Sequence, residues 1–230
     1  MAILAGLAAA IAAASGSFNG DISAVKAKAQ ATAILGYVNE LQIGVDRVMS
    51  RCPDTEISLA NSVDPEYPEN PLAPSDKSCH VFDVNGGGVL FKEPPPDVNL
   101  TAVSLEARNY AINTQHNIRI LGRTFGYSGV LDDTGRDLVI FLPGLTRELC
   151  LKINEMVGVT IESGDAPIHA NDLWCFKELD YWTNGTHGLH FGCGPGPNWN
   201  KLTCCTKLAI SNDSRIPAGS YVLYHALHVR

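Results

Sequence analysis

His187, His190 and Cys193 come nearest to a metal site, because a His-x-x-His followed three positions later by a cysteine offers borderline and soft donors of the kind zinc or copper takes. The chemistry such a set would serve is a metal-dependent enzyme. His225 and His228 add nothing to it, since residues three apart in a predicted strand face opposite sides of a sheet. The plainer reading, histidines solvated in a glycine-rich loop, is the one we expect, with no metal and no cofactor. Nucleophilic catalysis has less to start from. There is no Gly-x-Ser-x-Gly, and the Asp132-Asp133 and Asp54/Glu56 carboxylates sit in turn-like sequence without a recognisable partner. Asn85-Gly86-Gly87-Gly88 lacks the Gly-Lys-Ser/Thr continuation of a phosphate loop.

A binding module is a different class of reading. Trp174, Trp182 and Trp199, with Tyr181 and Phe191, could form an aromatic platform for a carbohydrate or another surface, or could fill a small core that lacks regular structure. Asn99, Asn184 and Asn212 each open an Asn-x-Ser/Thr triplet. A net charge of −7 and the absence of any Lys/Arg cluster argue against a nucleic-acid partner.

Seven cysteines, Cys52, Cys79, Cys150, Cys175, Cys193, Cys204 and Cys205, avoid the N-terminal lead. None forms Cys-x-x-Cys, so zinc-knuckle and thioredoxin-like sites lack their spacing and a disulfide framework in an oxidising compartment is expected. The preferred order is sequential, Cys52 with Cys79, Cys150 with Cys175, and Cys193 with Cys204 or Cys205. It is one among several connectivities, and one thiol is left over.

The elements that would carry these groups begin with an uncharged apolar lead, Met1 to Ala14, whose larger side chains are Ile3, Leu4, Leu7 and Ile11. It is shorter than the roughly 20 apolar residues a membrane-spanning helix needs. It reads as the end of a longer spanning segment, as a signal-peptide core, or as a buried helix. After a Ser/Gly break, Ala27, Ala31, Ile34, Val38, Leu41, Val45 and Val48 follow in steps of three and four, one stripe of an amphipathic helix ending near Cys52. Five prolines between 53 and 79 make the next stretch a surface loop, which Cys52–Cys79 would staple.

Further on, His80–Phe82 and Val89–Phe91 flank the glycine run as an expected β-hairpin. Asn117–Leu121 and Arg136–Leu142 read as strands, and Ser220–Val229 as a closing strand. Thr146 to Val157 reads as a second helix with Thr146 as N-cap and Glu148 in its first turn. Residues 158–206 read as irregular. At 45% hydrophobic and 18% charged residues, the 230-residue chain is a folded, loop-rich protein. The expected fold class is α+β, a long N-terminal helix on an antiparallel sheet with disulfide-stapled loops. The expected division is 1–51, lead and assembly helix, and 52–230, globular head.

An apolar segment merging into a long helix (Ala24 to Cys52), the stretch from Leu142 to Asn154 around Cys150, and the closing strand from Ala218 together resemble the type IV pilins and pseudopilins. The family's processing site, a glycine followed by Phe or Met with a glutamate five residues into the mature chain, is not matched; the first glutamate is Glu40. What the resemblance implies is a structural and non-enzymatic role. Copies of the chain would bundle through the lead and the Ala27–Val48 stripe into a helical filament, exposing the head for surface contact. Before assembly, the N-terminal segment would sit in a membrane.

Overall fold

The computed structural model describes residues 2–61, 67, 69–98, 103–104, 108–118, 137–161, 163–169, 189–191, 193, 201–211 and 214–228, with side-chain surroundings for all of these except 2–22, 113–118, 137, 169, 189–191 and 228. The fold is α+β. Helix α1 (Ala2–Met49) is followed by strands β1 (Ala111–Ile118) and β2 (Asp137–Leu145), helix α2 (Arg147–Met156), and strands β3 (Ile168–His169), β4 (Leu189–Phe191), β5 (Thr203–Leu208) and β6 (Tyr221–His228).

The sheet order is β3-β5-β6-β2-β1-β4. Its four central strands pair antiparallel, as expected. The two short edges do not: β4 joins β1, and β3 joins β5, in parallel. Strand β2 continues past Leu142 through Pro143 and Gly144 because a register shift between Pro143 and Leu145 absorbs the break. Gly144 has φ 77° with Val103 directly beneath it, so only glycine suits the position.

Alternation along the strands sorts side chains onto two faces. Leu138, Ile140 and Leu142 of β2 join Leu223 and Leu227 of β6 in one core with the α1 stripe, while Val139, Phe141, Val222 and Tyr224 form a second core on the far side. The described part of α1 and the sheet therefore share a core across the expected division at residue 51. Helix α2 starts where predicted. The Thr146 hydroxyl accepts the Leu149 N–H at 3.1 Å, and Leu149, Cys150 and Ile153 form the buried face.

Two strand expectations are corrected. No strand forms at His80–Phe82 or Val89–Phe91; Val81 N–H donates to Ser58 O, Gly87 N–H to His80 O and Val89 N–H to Val81 O, a folded-down turn network instead of a ladder. Gly86 and Gly87 permit it by lying against the His80 and Val81 backbone, where a Cβ has no room. The strand expected at Asn117–Leu121 begins earlier, at Ala111. Residues 119–121 lie outside the described residues. Within the span read as irregular, β3, β4 and most of β5 form.

The cysteines complete the frame. Cys52–Cys79 pairs as anticipated and Cys193 takes Cys204, one of its two expected partners, but Cys150 bonds Cys205 and not Cys175. Adjacent residues of a strand point to opposite faces, so Cys205 meets α2 on one side of β5 while Cys204 serves Cys193 on the other. Cys175 lies outside the described residues. Three disulfides mark an oxidising, extracellular or envelope environment, and among the described residues no helix is long and apolar enough to cross a membrane.

Candidate functional site

Helix α1 is the element on which the sequence concentrated its functional signal, and the part of it whose side chains are described, 23–49, presents three faces. The first holds Ala27, Ala31, Ile34, Val38, Leu41, Val45 and Val48, each at most 8% exposed. These residues, expected on an assembly surface, are instead built into the domain's own core. Each large aliphatic side chain buried there contributes roughly 1.5–3 kcal/mol.

The second face carries Lys26, Gln30, Tyr37, Glu40, Gly44 and Arg47, and Arg51 continues it past the helix end. A strap made of residues 85–97 covers it. Arg51 donates to Asn85 O and Gly86 O, and Arg47 Nη1 to Gly87 O at 2.8 Å. Gly44 backs onto Val89. The Tyr37 hydroxyl accepts the Lys92 N–H at 3.2 Å, and the Lys92 ammonium pairs with Glu40. Gln30 Nε2 donates to Pro96 O at 3.1 Å, and Lys26 meets Asp97 at 3.2 Å.

The strap thus runs antiparallel to the helix. Extended at about 3.1 Å per residue, the eight steps from Val89 to Asp97 span about 25 Å. The 18 helical steps from Lys26 to Gly44 cover about 27 Å at 1.5 Å each. Pro94, Pro95 and Pro96 hold the segment extended, which is what lets a short strap match a long stretch of helix. Burial, more than the Lys92 N–H it accepts, governs the Tyr37 phenol and pushes its pKa up to about 12.

The third face is open. Val25 (69% exposed), Ala29, Thr32, Gly36, Asn39 and Ile43 (52%) line it, and nothing lies within 4 Å of where a Gly36 side chain would begin. Beside the first turn whose side chains are described, Ser23, Ala24 and Ala27 form one wall of a groove of about 540 Å³ whose other wall is Glu148, Leu151, Lys152 and Glu155 of α2, with Ile161 at its end.

Polar groups fasten α1 to the sheet. Gln42 Nε2 donates to Asp46 Oδ1 (2.9 Å) and to Leu227 O (2.6 Å), and its Oε1 lies 3.0 Å from His225 Nε2. His225 Nδ1 is 2.6 Å from Thr203 Oγ1. Burial drives the His225 pKa down to about 4, with Asp46 pulling weakly the other way. A second hub joins α2 to the sheet edge. Asp165 accepts from the Tyr221 hydroxyl, Arg147 Nε and Lys207 Nζ at 3.0–3.2 Å, and from its neighbour Ala166 N at 2.9 Å. Burial opposes ionisation of Asp165, yet the Ala166 N–H, the Tyr221 hydroxyl and Lys207 together hold its carboxyl below the usual range.

Periodicity pointed to the buried stripe and missed the polar groups that fasten the elements to one another. Gln42, Lys92, Asn154, Asp165 and Thr203 carry no local signal, since each acts on a residue far away in the chain. The lead residues Ile3, Leu4, Leu7 and Ile11 fall in α1, but their side chains lie outside the described ones. Trp174, Trp182, Trp199 and His187 also lie outside the described residues, as does the side chain of His190. Among the described residues no group of three or more His, Cys, Asp or Glu is placed to hold a metal ion.

No family model matches the chain, and neither the curated proteins nor the solved structures hold a match to it.

Proposed function

We propose that this chain is a structural, non-enzymatic subunit of an extracellular or envelope filament, assembled through its N-terminal helix with the head turned outward. The observation that carries the reading is the division of labour along α1. Its second half is fastened on two faces by core, strap and hydrogen bonds, leaving one face open, while the sequence upstream stays uncharged as far as Asp21. A helix held so firmly at one end is a rigid handle. An uncharged lead of alanine, isoleucine and leucine gains roughly 25 cal/mol per Å² on burial, and copies of the same chain offer a repeating way to bury it.

Repetition of one heterologous contact yields an open helical fibre. The head, closed by disulfides and a stapled loop, suits exposure outside the cell. Membrane association of the lead before assembly, and the resemblance to type IV pilins and pseudopilins, belong to the same proposal.

Electron microscopy of the purified full chain tests it. Uniform helical filaments are expected. A chain that remains a monodisperse monomer at high concentration, with its lead intact, overturns the reading.

A further inference from the structure

We propose that the Asp46–Gln42–His225–Thr203 relay is an acid-sensitive latch, which fastens the second half of α1 to β5 and β6 while His225 is neutral and loosens when the ring takes a proton.

The hydrogen bonds fix the neutral form. Gln42 faces two groups that only accept, the Asp46 carboxylate and Leu227 O, so its amide nitrogen points to them and its oxygen points to His225. That oxygen can only accept, which places the imidazole hydrogen on Nε2. Nδ1 then offers a lone pair, and the Thr203 hydroxyl donates to it. Every polar group in the relay has a partner in this state. Because Gln42 also reaches Leu227 O, one side chain ties the helix to β6 through both a side chain and the backbone.

A proton can enter only at Nδ1. There it meets the Thr203 oxygen, whose own hydrogen must swing away from the bond it was making. The ring becomes a cation in a half-buried seat between Leu223 and Leu227, on the same face of β6 as these two core residues. The groups facing it from the packed elements are Gln42 and Asp46 from α1, Thr203 from β5, and its register partner Ile140 from β2. Asp46 is the one charged group among these described side chains. It is exposed and reaches the ring through Gln42, so it offsets the buried cation only in part.

The sign follows from linkage. Burial lowers the folded-state pKa to about 4 from the ordinary 6.5, so the docked helix takes up its proton later than an undocked one. Above pH 6.5 the latch is at full strength. It weakens as pH falls from 6.5 towards 4 and is constant below that. This inference stands whether or not the chain polymerises.

Amide hydrogen exchange of the full chain at pH 7.5 and pH 5, corrected for intrinsic rates, tests it on peptides covering 38–49 and 221–228. Protection in both is expected to fall on the order of tenfold at pH 5. His225→Gln should abolish that fall, whereas His80→Gln, which replaces a buried histidine away from the relay, should retain it. Equal protection of the natural chain at both pH values overturns the proposal, and so does an undiminished fall in His225→Gln. Should His225→Gln not fold, an NMR titration of the His225 ring decides, with a midpoint below 6 expected and one at or above 6.5 overturning it.

Discussion

Asn154 on α2 exchanges two hydrogen bonds with the backbone of Cys205 on β5, its Nδ2 donating to the carbonyl and its Oδ1 accepting the N–H, both at 2.8 Å. One amide side chain thereby stands in for a neighbouring strand along a stretch of β5 that β3, pairing only at Lys207 and Leu208, does not cover. The Cys150–Cys205 disulfide ties the same two elements one helical turn earlier.

Asn154→Ala leaves a buried donor and a buried acceptor unsatisfied, which costs about 2–4 kcal/mol. Urea unfolding should show a lower midpoint with an unchanged m-value. Asn154→Asp keeps the acceptor for the Cys205 N–H but sets a carboxylate against its carbonyl, so it should not rescue stability.

The pairing of Cys150 with Cys205 is checked by non-reducing digestion and mass spectrometry, which should link a peptide from α2 to one from β5. Replacing both by Ala opens a 55-residue separation, and chain-entropy reasoning puts the loss at about 4 kcal/mol. A Cys150–Cys175 peptide would contradict the arrangement.

Two glycines should respond in opposite directions to alanine. Gly86→Ala drives a Cβ into the His80 backbone and should destabilise by about 3 kcal/mol. Gly36→Ala meets open space on a helix and should stabilise by about 0.5–1 kcal/mol. On the filament reading, Gly36→Trp should leave the monomer folded while impairing polymerisation, seen as fewer or shorter filaments in micrographs.

The strap's grip rests on its buried contact more than on its surface charges. Tyr37→Phe removes the acceptor of the Lys92 N–H from a side chain only 5% exposed, a loss of about 1 kcal/mol. Lys26→Ala breaks an ion pair whose partners are 55% and 74% exposed and should change stability by less than about 0.5 kcal/mol. Thermal melts of the two variants separate the effects.

Asp165 contributes on the acid side. Its folded-state carboxyl titrates below the ordinary range, so its contribution is complete above the unfolded pKa and is lost as pH falls through the folded one. Asp165→Asn should therefore flatten the pH dependence of stability below about pH 4, and leave the His225-dependent window at higher pH unchanged.

Much of the local structure was legible in the chain. Thr146 announced α2, the spacing from Ala27 to Val48 announced a helix with one dry side, and the run from Ser220 announced β6. These signals are local, set by capping and by side-chain period. The hairpin failed for a physical reason. Glycines between apolar residues permit a turn, but whether the flanks pair depends on what lies nearby, and here Ser58 and α1 take the hydrogen bonds and the space. Strand β5 was missed because Thr203–Leu208 buries side chains on both faces and so shows little alternation.

By itself, the sequence determined that α1 has an apolar stripe, that α2 and β6 exist, that residues 53–79 form a proline-rich loop, and that an uncharged lead precedes Asp21. Only the tertiary structure decided that the stripe closes the domain's own core, that a proline strap takes a second face and leaves a third open, that Cys205 turns to Cys150 while Cys204 turns away, and that Gln42 meets His225. Periodicity records which side of an element is dry. What dries it is a neighbour far along the chain, and strand order and register choose that neighbour.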